Sequence, residues 1–449
     1  MTTTLDRSTF LTRTDPASAG IAVAGPLAAL RARALEGRPT AGPGHGPLVD
    51  MGDLALPRGF SYRVVSREGD LLGDGGRTPG AFGSMAAFPG PRGTTVLVRN
   101  HGRGSGDAAV EVPADLRHDP DPTHGGGCTQ LLVGRRQSLL TSAAVLGGLS
   151  ASPGGGATPW RSWIACELVV GEGATGVRHG YAFEVDARSW EPGRAAPIVA
   201  AGRFAHGAVA CHGGILYQTE RGPGEACLYR YLPERLPRRA GDLAGSTGKL
   251  QALAIVGAPN TDTAGDWPVG MPVPVSWVDI EEPDPAADTV RAQASAKGAA
   301  SFHRQRGCRI GDGRLYVWCA GGGPAGMGEV WELDPRAHVL TLVHRSPGAR
   351  ELGSPDDIVV TPAGDLLLCE NAGDPRRLRL LGAEGEISEI ARALEAPQSP
   401  FCGACFDPTG RVLYVSQRGD RGDDGAVGSR ARTYAIQGPW GTPGSGGPR

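Results

Sequence analysis

The chain has 449 residues and is almost neutral, with 45 lysine and arginine residues against 47 aspartate and glutamate residues. A sequence with this balance lacks the basic footprint of a nucleic-acid-binding protein. No apolar stretch approaches the roughly 18 residues that a membrane-spanning helix needs. The length exceeds that of an average domain, but large β-proteins reach it as one unit, so two domains are not required.

The first 47 residues predict a flexible N-terminus. Arg7 and the apolar stretch from Ala17 to Leu30 have the outline of a twin-arginine export signal, but Ser8 stands where a second arginine is needed. Residues 36–47 (EGRPTAGPGHGP) are typical of a linker. We therefore expect a degenerate signal and a cytoplasmic protein, with export as the alternative, and a folded body that begins near Leu48.

Six short apolar or aromatic runs follow turns rich in Gly, Pro or Asp. Apolar runs between turn formers predict β-strands, and recurrence at about fifty residues predicts one sheet for each copy. In chain order they are PRGTTVLVRN (ending at Asn100), WRSWIACE (Glu167), CHGGILYQTE (Glu220), GDGRLYVWCA (Ala320), AGDLLLCEN (Asn371) and TGRVLYVSQ (Gln417). The pattern predicts an all-β fold, a β-propeller of about six blades, in which equivalent strand ends converge on the central channel.

We expect the propeller to occupy residues 48–440 and a disordered tail to occupy residues 441–449. Residues 222–300 separate the third and fourth copies by about twice the usual spacing of the repeat. They contain either a disguised blade or a long inserted loop. The polar stretch IEEPDPAADTVRAQASAKG within them indicates a surface loop that passes into a short helix.

The nine cysteines are an odd number, and several lie inside apolar runs such as WIACE and LLLCE. A buried cysteine behaves as a small apolar side chain. Cys402 and Cys405 have CxxC spacing, but no second such pair completes a zinc site. We therefore expect Cys128, Cys166, Cys211, Cys319 and Cys369 to be buried without disulfides, and Cys402 and Cys405 to be a structural thiol pair.

Several short motifs follow one another in a recognisable order. They are HGYAFEVD (179–186), GRFAH (202–206), GMGEVWELDP (326–335), SPDDI (354–358), GDLLLCE (364–370), GACFDPTG (403–410) and AIQGPW (435–440), together with Asn100-His101 and TPW (158–160). From about residue 50 to residue 440, this series resembles the PhoX-type alkaline phosphatases of bacteria. The resemblance implies a β-propeller, usually exported by the twin-arginine route, that hydrolyses phosphate monoesters. It also implies a cluster of iron and calcium ions held by acidic residues and one cysteine.

The sequence departs from the family pattern where the metal ligands are expected. Multivalent cations neutralise the phosphate oxygens, lower the pKa of a bound nucleophile and hold the leaving oxygen, so lost carboxylates are costly. The resemblance places glutamate at Gly102, Gly207 and Pro400, a second glutamate at Leu168, aspartate at Arg221 and the cysteine at Pro153.

The residues that remain predict a smaller site. The expected metal ligands are Glu167, Glu220, Glu370, Asp356 and His101, with Asp357 beside them; the expected catalytic residues are Glu220, His206 and Arg221; and the expected phosphate-binding residues are Arg203 and Arg418. Because the soft cysteine ligand is missing, calcium is the expected cofactor and iron is not. The expected partner is a phosphorylated small molecule.

Two functions stay open. One is a metal-dependent phosphomonoester hydrolase with a depleted metal site. The other is a non-catalytic propeller that binds a ligand or a protein, since a fold can be retained after its catalytic site is lost. The same residues also have structural interpretations: a glutamate at a strand end often pairs with arginine, a histidine often supports the backbone, and Asp356-Asp357 could close a turn.

Overall fold

The computed structural model describes residues 44–102, 109–222, 224–382, 386–421 and 427–441. Almost all of its regular structure is antiparallel β-sheet. Three short strands come first: β1 (Leu48–Asp50), β2 (Leu54–Pro57) and β3 (Ser61–Arg67). The predicted export signal, most of the linker and the tail from residue 442 lie outside the described residues.

Six sheets, called blades 1 to 6, then follow in chain order. Blade 1 contains β4 (Phe82–Pro89), β5 (Thr95–His101), β6 (Gly126–Val133) and β7 (Leu139–Leu149). Blade 2 contains β8 (Gly154–Ala157) and β9 (Ser162–Cys166), then a hairpin of β10 (Gly171–Glu172) and β11 (Arg178–His179), and then β12 (Ala182–Asp186). Single 3₁₀ turns lie at Pro91–Gly93, Ala114–Leu116 and Val199–Ala201.

Blade 3 draws on part of the predicted insertion. It contains β13 (His206–His212), β14 (Ile215–Glu220), β16 (Leu228–Pro233) and β17 (Gly248–Ile255), with the short β15 (Glu225–Ala226) between the second and third of these. Residues 222–300 thus supply two outer strands of a blade. The rest of the segment holds β18 (Pro272–Asp279) and the helix α1 (Val290–Ala296).

The strand β18 pairs with β17 of blade 3 and also with the outer strand of blade 4. After β19 (Phe302–His303), blade 4 contains β20 (Gln305–Gly311), β21 (Arg314–Cys319), β22 (Glu329–Asp334) and β23 (Val339–Arg345). Blade 5 contains β24 (Pro355–Val360), β25 (Leu366–Glu370), β26 (Arg377–Leu381) and β27 (Ile387–Ala393). Blade 6 contains β28 (Phe401–Phe406), β29 (Val412–Gln417), the hairpin β30 (Asp420–Arg421) and β31 (Val427–Ser429), and β32 (Arg432–Gln437).

The blades form a closed ring. Each first strand of a blade packs against the first strand of the next, in the order β4, β8, β13, β20, β24, β28 and back to β4. The N-terminal strands complete the ring, because β3 pairs with β32 of blade 6 while β2 pairs with β27 of blade 5. The prediction of a six-bladed propeller is therefore confirmed.

The six strands found in the sequence occupy one equivalent position: β5, β9, β14, β21, β25 and β29 are the second strand of each blade. They lie one strand outside the channel, whose wall is made by the first strands. Six apolar clusters fill the spaces between neighbouring blades. Because a second strand buries both faces in these clusters, its sequence is a continuous apolar run rather than an alternating one.

All nine cysteines are buried and form no disulfide. The prediction for Cys128, Cys166, Cys211, Cys319 and Cys369 is therefore confirmed, and the other four cysteines share this state. Within the described part of the chain, the helices are too short or too polar to cross a bilayer.

Candidate functional site

One end of the channel, called the upper end, is marked by the strand register. In every blade the first residue of the inner strand pairs with the last residue of the second strand. The pairs are Phe82 with His101, Gly154 with Cys166, His206 with Glu220, Gln305 with Cys319, Pro355 with Glu370 and Phe401 with Gln417. The inner strands therefore begin, and the second strands end, around the same opening.

β-Bulges re-aim side chains at this end. In five of the six blades the register of the inner strand shifts within its first few residues. A bulge leaves an extra residue outside the ladder and turns its side chain. In blades 3, 4 and 5 the extra residues are Gly207, Arg306 and Asp356, and all three line the cavity at the upper end.

Three guanidinium groups surround the carboxylate of Asp356. Arg418 donates a hydrogen bond from Nη2 to Oδ2 at 3.2 Å. The Nε of Arg306 and the Nη2 of Arg221 lie 3.7 and 3.8 Å from Oδ1, which is beyond hydrogen-bond distance. We call Arg221, Arg306 and Arg418 the arginine cluster. Its three positive charges against the one negative charge of Asp356 leave an excess of two positive charges beside the cavity.

The four residues come from four consecutive blades. Arg221 follows β14, Arg306 lies in β20, Asp356 lies in β24 and Arg418 follows β29. The Asp356 side chain is 5% exposed, whereas the arginine side chains are 17%, 20% and 32% exposed. The carboxylate is therefore covered by the arginines, and the arginines are what a molecule in the cavity meets first.

Asp357, next along β24, has a structural role. Its two carboxylate oxygens accept hydrogen bonds from the backbone N–H groups of Ile358 and Ala404, at 2.8 and 3.1 Å. Arg309 lies 3.5 Å away. Burial raises the pKa of Asp357. This side chain ties blade 5 to blade 6.

Positions at which the family resemblance expects acidic or thiolate ligands meet at this end. Pro153, Gly207 and Arg221 all line the cavity. A Cβ on Gly102 would lie 3.2 Å from Cβ of Pro153, and the carbonyl of Pro400 accepts a hydrogen bond from the N–H of Arg418 at 3.0 Å. Five of the six sequence changes inferred from the resemblance thus lie around one opening; the sixth, Leu168, does not line the cavity.

The donor set at the upper end does not fit an iron–calcium cluster. Calcium takes six to eight oxygen ligands. Among the described residues that line the cavity, only Asp356 and Asp357 carry carboxylates, and four arginines accompany them. Two cysteines line the cavity, Cys308 and Cys402. Their thiols donate hydrogen bonds to the carbonyls of Tyr217 and Phe82, and burial raises the pKa of each thiol to about 12. Neither charge nor ligand type suits such a cluster.

Glu220 ends β14 with its side chain turned away from the arginine cluster. Its Oε2 accepts hydrogen bonds from the backbone N–H of Cys227 at 2.9 Å and from the hydroxyl of Tyr229 at 3.3 Å. Arg291 of α1 lies 3.5 Å from its Oε1. Glu220 therefore fastens the start of the insertion to blade 3, and its roles as a metal ligand and a catalytic residue stay predictions.

The side chains of Glu167 and Glu370 are also fixed by hydrogen bonds to neighbouring groups. Glu370 accepts a hydrogen bond from the N–H of Gly353 at 2.8 Å and lies 3.4 Å from Nε of Arg379. Glu167 accepts from the N–H groups of Ser150, Gly180 and Tyr181. In the described residues, no group of three or more potential metal ligands includes Glu220, Glu370, Asp356 or His101. The structure thus does not bring the predicted metal ligands together.

His101, His206 and Arg203 are buried supports. His101 bonds through Nδ1 to the carbonyl of Gly80 and through Nε2 to the hydroxyl of Thr129. His206 stacks on Phe204, and burial lowers its pKa to about 4. The guanidinium of Arg203 donates to the carbonyls of residues 171, 285 and 286. Of the predicted substrate- and acid–base residues, only Arg221 and Arg418 face the cavity.

Sequence reasoning missed Arg306 and, apart from Glu167, the members of a second group of polar residues. Arg306 is the bulge residue of β20 and precedes Gly307 and Cys308. The one signal in the sequence was a basic residue near the start of an inner strand. The second group contains His118, Asp119, His124, Glu167 and His179, whose side chains could hold a metal ion in two overlapping sets of three. Its sequence signals were the HDPDPTH stretch at residues 118–124, Glu167 at the end of WRSWIACE and His179 at the start of HGYAFEVD.

Comparison with one solved structure supports the same fold, and a second structure gives a weaker match. PhoX of Pseudomonas fluorescens, in complex with vanadate, a transition state analogue, matches with a TM-score of 0.62 and 15% identity over 88% of this chain and 98% of that chain. A gluconolactonase from Xanthomonas campestris matches with a TM-score of 0.39 and 12% identity, over 89% of this chain and 98% of that chain. A search among curated proteins gave no match.

The family is shown by the sequence itself. The profile described as alkaline phosphatase PhoX matches residues 44–145 and 141–418. The match includes the three residues of the arginine cluster, the neighbouring Asp356 and the inner strands of all six blades. The chain belongs to the alkaline phosphatase PhoX family.

Proposed function

We propose that this protein binds phosphate or a phosphomonoester at the upper end of the channel. The arginine cluster would supply the positive charge that the family resemblance assigns to metal ions. The observation that carries this proposal is the convergence of Arg221, Arg306 and Arg418 on the cavity around the single carboxylate of Asp356. In this interpretation the protein is a non-catalytic, ligand-binding relative.

The charge of the cluster suits such a ligand. A phosphomonoester carries between about 1.5 and 2 negative charges at neutral pH, and the cluster with Asp356 carries two net positive charges. Guanidinium groups bind phosphate oxygens through paired, charge-assisted hydrogen bonds. The long contacts of Arg221 and Arg306 to Asp356 leave their N–H groups suitably placed to bind an anion in the cavity.

Asp356 also has a part in this proposal. Three guanidinium groups would repel one another in an empty site, and one shared carboxylate reduces that repulsion. Because only Arg418 forms a short hydrogen bond with it, an incoming anion can bind the other two arginines without displacing the carboxylate. The vanadate in the Pseudomonas relative is an oxyanion of the same general kind.

The test is a calorimetric titration of the full chain with inorganic phosphate and with p-nitrophenyl phosphate. Arg221→Gln, Arg306→Gln and Arg418→Gln should each weaken binding, since a hydrogen bond to a charged group contributes about 1.5–3 kcal/mol, or roughly a 10- to 150-fold change in Kd. Arg336→Gln, at an exposed arginine of blade 4, is the matched control and should bind as the wild type does. Unchanged binding in all three cluster variants would refute the proposal.

Metal-dependent phosphomonoester hydrolysis is the second candidate. The family match and the presence of residue groups that could hold a metal ion favour it. It is tested by measuring p-nitrophenyl phosphate hydrolysis with added Ca²⁺ or Zn²⁺ and with EDTA. Turnover that needs the metal and is lost in Arg221→Gln would support a hydrolase. Binding without turnover under these conditions would support the binding protein.

A further inference from the structure

We propose that Asp119, His124 and His179, called the histidine site, bind one divalent metal ion of the zinc class. Asp119 and His124 lie in the segment between β5 and β6 of blade 1, and His179 ends β11 in the hairpin of blade 2. None of the three lines the cavity at the upper end. The histidine site is therefore separate from the proposed phosphate site.

The three ligand atoms have the spacing of a metal site. Oδ2 of Asp119 lies 3.1 Å from Nε2 of His179 and 3.5 Å from Nε2 of His124, and all three atoms lie within 4.8 Å of one another. Zinc binds histidine nitrogen and carboxylate oxygen at about 2.0–2.2 Å in tetrahedral geometry, which places neighbouring ligand atoms roughly 3.3 Å apart. The two distances from Oδ2 of Asp119 lie on either side of that value.

His179 is already oriented as a metal ligand. Its Nδ1 lies 2.7 Å from Oε1 of Glu167, which leaves Nε2 directed at Asp119. Glu167 is fixed in turn by the N–H groups of Ser150 and Gly180, at 2.8 and 2.7 Å. Metal-binding histidines usually donate their second N–H to a carboxylate, which sets the tautomer and the ring orientation. Glu167 would be a positioning residue here, and this accounts for a buried glutamate away from the channel.

Space and access also suit an ion. A Cβ on Gly173 would lie 2.6 Å from Oδ2 of Asp119 and 3.0 Å from Nε2 of His124, so the absence of a side chain at this glycine leaves room beside both ligand atoms. The hydroxyl of Thr175 donates to the carboxylate of Asp119 at 2.9 Å and helps to hold it in place. The Asp119 and His179 side chains are 0% and 2% exposed, and that of His124 is 16% exposed. An ion would enter past His124, and three protein ligands would leave a fourth position for water or a ligand.

The donor types select the metal. Two of the three ligands are imidazole nitrogens, which suit zinc and neighbouring transition metals, whereas calcium and magnesium take oxygen ligands. The competing interpretation is a buried histidine, His179, paired with the carboxylates of Asp119 and Glu167 and binding no metal. The two interpretations differ in whether the protein takes up zinc.

The experiment uses the untagged full chain, stripped of metal with a chelator and then titrated with Zn²⁺ in competition with a chromophoric indicator. We expect one Zn²⁺ per chain and a higher melting temperature with zinc. His124→Gln and Asp119→Asn each remove a ligand and should weaken binding by roughly 100-fold or more. Glu167→Gln should weaken it by about 10–100-fold, the usual cost of losing the partner of a ligand.

Two controls separate the possible results. His212→Gln changes a half-buried histidine of β13, and Arg221→Gln changes the arginine cluster; both should bind Zn²⁺ as the wild type does. Asp119→Asn provides a second ligand test if His124→Gln does not fold. Failure of the wild type to bind Zn²⁺, or equal affinity in wild type and both ligand variants, would overturn the proposal and leave phosphate binding unaffected.

Discussion

The guanidinium of Arg418 donates a hydrogen bond to Oδ2 of Asp356 at 3.2 Å and so joins blade 6 to blade 5 across the end of the channel. Around this bond, Arg221 and Arg306 approach the other carboxylate oxygen at 3.8 and 3.7 Å. The carboxylate of Asp356 is thus the shared counter-charge of three guanidinium groups. Changing that charge is the most direct way to examine the site.

Asp356→Asn keeps the shape of the side chain and removes its charge. The three arginines then lack a counter-charge, so the free energy of unfolding should fall by about 1–3 kcal/mol at low ionic strength. Added phosphate should restore stability more strongly in the variant than in the wild type, since it supplies the missing charge. Thermal melts with and without phosphate measure this. Asp186→Asn, at a more exposed aspartate paired with Arg188, is the control and should show no phosphate dependence beyond that of the wild type.

Glu220 should make stability depend on pH. Burial raises its pKa from an ordinary value of 4.5 to about 7, and the nearby Arg291 offsets only part of this effect. Between these two values the folded state keeps a proton that the unfolded chain has lost. The free energy of unfolding should therefore fall as pH rises from about 4.5 to about 7, by at most about 3 kcal/mol.

Glu220→Gln cannot titrate, so its stability should change less across this range. Urea denaturation of both proteins at several pH values tests the difference in slope. Parallel slopes would contradict the assignment. Calcium that stabilises the wild type but not Glu220→Gln would instead return Glu220 to the role of a metal ligand.

Gly156→Ala should destabilise the ring strongly. A Cβ on Gly156 of β8 would overlap the carbonyl of Val209 on β13, so blades 2 and 3 approach too closely for any side chain. Overpacking of this kind typically costs about 1–3 kcal/mol, and more when only backbone can move. Gly193→Ala, where nothing lies within 4 Å of the new atom, is the control. Equal melting temperatures for the two variants would show that the inner strands can separate easily.

The nine thiols should react slowly in the folded protein. All are buried, and burial raises the pKa of Cys402 and of Cys405 to about 12, so little reactive thiolate is present at neutral pH. Titration with a chromogenic thiol reagent should detect almost none before denaturation and nine afterwards. Rapid labelling of several thiols in the native protein would be inconsistent with this structure.

The sequence predicted the fold through the strands that are buried on both faces. Runs such as LLLCE in β25 are continuous and apolar because they lie between two interblade clusters. The inner strands were not recognised, because small and polar residues line the channel, as in HGAVACH of β13. The pairing of β3 with β32 joins opposite ends of the chain, and no local pattern records such a contact.

The candidate site was predicted only in part. Arg221 and Arg418 were identified at strand ends, but whether a side chain at such an end faces the channel depends on the loops around it. Glu220 instead meets the N–H of Cys227, a contact set by the turn after β14. Arg306 reaches the cavity through a bulge, and bulges have no reliable signature in a single sequence. Altered positions such as Pro153 and Gly207 line the cavity, whereas the retained glutamates Glu167, Glu220 and Glu370 do not.

The closing strand has a consequence for synthesis on the ribosome. Ser61 of β3 pairs with Gln437 of β32. The ribosome therefore synthesises β3 long before it synthesises the strand with which β3 pairs. During that interval β3 has an unpaired edge, and unpaired edges promote association between chains. The ring therefore cannot close before blade 6 has been synthesised, and slow translation of blade 6 should increase aggregation of the nascent chain.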